Sequence, residues 1–135
     1  MRIVWKHHPL EIHKDARLAH MASMAASEQG KFWEYHDKLF GNPGKLKREH
    51  LLQYATELGL NLARFEAALA SEKHKAVIDA DSSESVAIGA GGTPAFFVNG
   101  RYLSGAKPFE EFARVINAEL ARLKLPIPGG APGPG

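Results

Sequence analysis

The chain has 135 residues, of which 44% are hydrophobic and 24% charged, and its formal net charge is +2. That length holds one domain with a sizeable core, and the composition excludes a disordered chain. Lys and Arg are dispersed, with no basic run beyond Lys45-Leu46-Lys47-Arg48, so no nucleic-acid partner is expected. No apolar run reaches the ~20 residues that span a bilayer, so no membrane partner is expected either. The opening stretch MRIVWKHHPL lacks the pattern of a signal peptide.

Arg2–His7 (RIVWKH) is short, β-branched and aromatic, and Pro9 closes it, which predicts a strand with His7 at its end near a sheet edge. From Lys14 the period becomes helical. Leu18, Met21, Ala22 and Ala25 recur on one face, and Gly30 stands at a C′ position. Further helices are predicted over Phe32–Phe40 and Glu49–Leu58, with Gly59 ending the latter. Asn61 and Ser71 are placed to cap two more, the last reaching about Ile88 before Gly89.

The period then falls to two. Ala95–Val98 and Arg101–Ser104 flank Asn99-Gly100, a pair suited to a type I′ hairpin turn because both residues must adopt positive φ. Pro108 is expected as the first residue of a final helix striped by Phe109, Phe112, Ile116, Leu120 and Leu123. Residues 126–135 (PIPGGAPGPG) hold four of the eight prolines and read as a disordered tail. The domain is therefore 1–125, of class α/β, with a helical block over about 14–88.

Few residues point to chemistry. There is no cysteine. Seven histidines are scattered, and only His13 and His20 lie two helical turns apart, so no metal site is expected. Met21 and Met24 beside His20 are the residue types of a copper site, but at helical spacing they read as core. The aromatic residues Trp5, Phe32, Trp33, Tyr35, Phe65, Phe96, Phe97, Phe109 and Phe112 also read as core. No cofactor is expected, because the Gly89–Gly92 run precedes a strand rather than opening a helix.

Gly92-Thr93-Pro94 is the exception. A proline directly before a buried strand can be an ordinary trans residue at the strand's start. It can also be cis, which would turn the backbone N–H and C=O of Thr93 outward, toward an extended peptide. Gly91 and Gly92 would then relieve crowding around the bond.

Over residues 2–117 the sequence resembles DsbA-type disulfide oxidoreductases of the thioredoxin superfamily. The matching stretches are RIVWKHHPL, DARLAHMASMAASEQGKFWEYHDKLF, LLQYATELGLNLARFEAAL and, most specifically, GTPAFFVNGRYLSGAKPFEEF. The resemblance implies a thioredoxin-like fold with a DsbA-type helical insertion, a cis Pro94, and a peptide-facing loop at Gly92, Thr93 and Pro94. It also implies an extracytoplasmic, periplasmic setting. In that family a strand and a helix opening with Cys-x-x-Cys carry the redox chemistry, and here both would lie before Met1. The fold is thus expected to be incomplete, no catalytic residue is assigned, and the chain alone reads as a redox-inactive fragment or split half. The alternative is a non-catalytic module that binds peptides or associates with itself. In the thioredoxin fold the absent strand separates Arg2–His7 from Ala95–Val98. Unpaired inner edges there predict a homodimer through those two strands.

Overall fold

The computed structural model describes residues 1–129 and has two compact units, Met1–Gly89 and a second beginning at Ala90. The class is mixed α/β, as expected. No helix among the described residues is long and apolar enough to cross a membrane. Of the tail expected over 126–135, residues 130–135 lie outside the described residues, and 126–129 form neither helix nor strand.

The first unit is helical: α1 (Ala16–Ser27), α2 (Phe32–Gly41), α3 (Arg48–Glu57), α4 (Leu62–Leu69) and α5 (Glu72–Ala87). The helix α1 touches all four others. Its small side chains explain this, since Ala22, Ala25 and Ala26 are fully buried and let neighbouring backbones approach closely. Around them pack Tyr35, Leu51, Ala55, Phe65, Leu69 and Ile78. The two buried tyrosines keep their hydroxyls satisfied, Tyr35 donating to the Leu51 carbonyl (2.9 Å) and Tyr54 to that of Lys45 (2.8 Å). Burying either without an acceptor would cost about 1–3 kcal/mol.

The ends of the helices follow the sequence closely. Gly30 and Gly59 take φ of +72° and +70°, and the next N–H reaches back to Ala26 and Ala55 respectively, closing the helix with a left-handed turn. The Asn61 side chain accepts from the Arg64 N–H at 3.0 Å, a true N-cap. Gln29 and Asn61 also exchange hydrogen bonds at 3.1 and 2.8 Å, tying the end of α1 to the start of α4. Ser71 occupies the N-cap position of α5 but makes no side-chain bond there.

The second unit is a hairpin and a helix. Strands β1 (Ala95–Val98) and β2 (Arg101–Ser104) pair antiparallel, Ala95 with Ser104 and Val98 with Arg101. Asn99 and Gly100 have φ of +48° and +82°, as a type I′ turn requires. Helix α6 (Phe109–Arg122) packs on β1, with Phe112 edge-on to Phe96 at 4.8 Å. Glu119 on α6 is buried and paired with Arg101 of β2 and with Arg122 (2.9 Å). Hydrogen bonds from Arg122, then the charges of Arg101 and Arg122, hold its carboxyl below the usual range against the opposing effect of burial.

Five expectations need correction. Arg2–His7 is not a strand, because strand structure needs a paired neighbour and no described residue pairs with it. The His7 N–H instead bonds the Asp81 carboxylate at 3.0 Å, and His7 is buried rather than at a sheet edge. Pro108 is the N-cap of α6, one residue before its first helical position. Trp33, Phe96, Phe97 and Phe109 are exposed, not core; Phe97 pairs across the hairpin with Tyr102 at 5.0 Å. A Cβ added at Gly91 or Gly92 would meet nothing within 4 Å, so neither glycine relieves crowding.

Candidate functional site

The Thr93–Pro94 peptide bond is cis. Pro94 has no N–H to give, so it stands just outside β1, while its carbonyl accepts the Gly105 N–H at 2.9 Å and extends the ladder by one rung. That bond fixes the loop to the far end of β2. Gly92, Thr93 and Pro94 are all exposed. Among the described residues the Thr93 backbone has no hydrogen-bond partner. One backbone donor and one backbone acceptor of the loop are thus unpaired among the described residues. The sequence has no thiol.

In the helical unit, the structure gathers residues that sequence reasoning left apart. His7 and His20 approach Nδ1 to Nδ1 at 2.8 Å, and His7 Nε2 lies 3.1 Å from the sulfur of Met24. A thioether accepts only, so His7 Nε2 carries the proton and donates to Met24. Burial favours the neutral form of both rings. With His7 neutral, its Nδ1 accepts from His20 Nδ1–H. Burial drives the pKa of His20 down to about 4, with the charges of His7 and His8 adding to the effect. Burial also lowers that of His7, opposed by the Asp81 carboxylate and assisted by His74.

Met21 is core, as expected, but Met24 is not; it faces His7. The one available signal was that His20 and Met24 are four apart on α1, hence on one face. Nothing in the sequence brought His7 to them. His13 precedes α1 and does not share a helical face with His20. Among the described residues, no three His, Asp or Glu side chains gather as metal ligands.

A cleft of about 290 Å³ opens beside this cluster, lined by Trp5, His7, Met24, Ser27, Phe32 and Trp33. Trp5 is its hub, with ring centroids 5.9 Å from Phe32, 5.1 Å from His36 and 6.1 Å from Phe40.

Comparison with known proteins bears on both units. Residues 1–117 match the model of the DSBA-like thioredoxin domain. The chain is 38% identical over 131 residues to "Na(+)/H(+) antiporter NhaA 3" of Salinispora tropica, covering 96% of this chain and 20% of that protein. It is 41% identical over 118 residues to "Na(+)/H(+) antiporter NhaA" of Herminiimonas arsenicoxydans, covering 87% of this chain and 19% of that one. The chain thus spans only about a fifth of the length of these relatives. In fold it is similar to the crystal structure of oxidoreductase DsbA from Xylella fastidiosa, with a TM-score of 0.61 at 21% identity, over 77% of this chain and 60% of that one. The fold is thioredoxin-like, with extra helices that match a DsbA-type helical insertion. With the match running through both units, this chain belongs to the DSBA-like thioredoxin domain family, and it does so without a cysteine.

Proposed function

We propose that this chain is a redox-inactive DsbA-type module that holds an extended protein segment at Gly92, Thr93 and Pro94. The observation that carries the reading is the exposed loop with an unpartnered Thr93 backbone among the described residues, in a chain without thiols. Thiol–disulfide exchange needs an attacking thiolate, and this chain supplies none. Its family membership and its likeness to part of much longer antiporters support a module that works beside another polypeptide, outside the cytoplasm. With dithiothreitol and insulin, the chain should reduce no faster than the blank. In a titration with an unstructured, cysteine-free peptide, the Thr93 amide should shift most among the residues of the hairpin unit. Turnover above the blank sinks the inactive reading; an unmoved Thr93 amide sinks the binding one.

A second reading, a homodimer through Arg2–His7 and Ala95–Val98, is favoured by exposed apolar groups in both stretches. Ile3 and Val4 are 69% and 60% exposed and Phe96 is 39% exposed. Covering one such side chain fully is worth about 1.5–3 kcal/mol. Light scattering across a dilution series should then show a dimer that dissociates, with the melting temperature falling on dilution. A folded monomer with a constant melting temperature excludes it.

A further inference from the structure

We propose that Asn99 is a site of spontaneous covalent modification that loosens the join between the hairpin and α6. Its side-chain amide is lost to attack by the Gly100 nitrogen, leaving aspartate or isoaspartate in the turn. Water is the only co-reactant. The Gly100 nitrogen bonds to Asn99 Cγ, the Cγ–Nδ2 bond breaks, and the proton displaced from the Gly100 nitrogen leaves with the amide as ammonia. A five-membered cyclic imide remains. Water opens it at Cγ to give aspartate on the original main chain. Opened at the backbone carbonyl instead, it gives isoaspartate, in which the main chain runs through Cγ. Nothing is oxidised or reduced.

The structure singles out Asn99 among the asparagines Asn42, Asn61, Asn99 and Asn117. Asn42 precedes Pro43, whose nitrogen has no proton to give up. Asn61 is committed to its cap, accepting from the Arg64 N–H at 3.0 Å. Asn117 lies inside α6, where the next N–H belongs to the helix ladder. Gly100 is exposed, and its N–H has no hydrogen-bond partner among the described residues. A Cβ placed at Gly100 would meet nothing within 4 Å, so the approach to its nitrogen is open. What the turn touches gives the modification its consequence. The Asn99 side chain donates to the buried Glu119 carboxylate, which also holds Arg101 and Arg122. Either product puts a carboxylate where that donor was, and two carboxylates this close favour protonation of one. Isoaspartate also adds a main-chain atom to a two-residue turn whose length sets the pairing of Val98 with Arg101.

Incubating the folded chain at mildly alkaline pH, then digesting aliquots and weighing the peptides, reads the reaction directly. The peptide that holds Asn99 should gain the mass of amide-to-acid conversion in two chromatographic forms. Its rate should exceed that of any other asparagine by about tenfold or more, because only there is the attacking nitrogen free and adjacent. Asn99→Asp supplies the aspartate product at once. Asn99→Gly removes the amide without adding charge and keeps a residue suited to positive φ. Followed by nuclear magnetic resonance, the Glu119 carboxyl should titrate higher in Asn99→Asp than in Asn99→Gly. Amide shifts should spread from the turn into α6. If Asn99→Asp does not fold, the reacted chain, separated by its extra negative charge from the unreacted one, takes its place. No mass gain at Asn99, or equal rates at all the asparagines, overturns the proposal. So does equal titration of Glu119 in the two variants, since the new carboxylate then does not reach it.

Discussion

Replacing Phe65 with alanine should lower the stability of the helical unit by about 3–5 kcal/mol. Phe65 is fully buried on α4, tilted against the Tyr35 ring at 5.6 Å. It shares one buried cluster with the α1 alanines, which have no side chain long enough to fill the void its loss leaves. Against a whole-domain stability of roughly 5–15 kcal/mol, the variant stands near unfolding at room temperature. Urea denaturation followed by far-ultraviolet circular dichroism measures it. Phe109→Ala is the control, since Phe109 is 79% exposed and its removal should change stability by no more than about 0.5 kcal/mol. Equal effects at the two sites would show that the alanine-faced core does not hold the helices together.

Acid should begin to destabilise the helical unit near pH 6.5, above the range where carboxylates titrate. In the folded chain His20 titrates at about 4, and in the unfolded chain near the ordinary value of about 6.5. The unfolded state therefore takes up a proton first as pH falls. The contribution of His20 is fully present above about pH 6.5, is lost progressively down to about pH 4, and changes no further below that. That separation corresponds to a loss of order 3 kcal/mol. His7, also shifted down, adds in the same direction. His20→Asn keeps an N–H donor for His7 Nδ1 but does not titrate, so its stability should fall less steeply between pH 6.5 and 4. Denaturant midpoints across that interval decide the matter. Identical slopes in both proteins would remove His20 as the acid-sensitive group.

The neutral pair also bears on what the helical unit can do. A charged His7 would place a desolvated cation in the wall of the aromatic cleft, and burial, the largest cause of its lowered pKa, favours the uncharged form.

The parts of this protein that were legible in the sequence are those set by local chemistry. Gly30 and Gly59 end their helices because a left-handed residue is needed and glycine takes it without strain. Asn61 caps α4, and Asn99-Gly100 turns the hairpin, through bonds and dihedrals within three or four residues. The alanine and methionine periodicity of α1 announced a buried face, and Gly92-Thr93-Pro94 marked the loop whose bond is cis. The stretch Arg2–His7 was not legible. Its β-branched composition states a preference, whereas a strand exists only when another main chain lies alongside to pair with it. The aromatic residues divided for a similar reason: Tyr35 and Phe65 are buried while Trp33, Phe97 and Phe109 are exposed, although all sit in apolar patterns. Periodicity says which residues share a face, and only the packing of elements says whether that face is covered. The cluster of His7, His20, Met24 and Asp81 spans α1, α5 and the segment before them. Its contacts join residues up to 74 positions apart, and no local spacing encodes them.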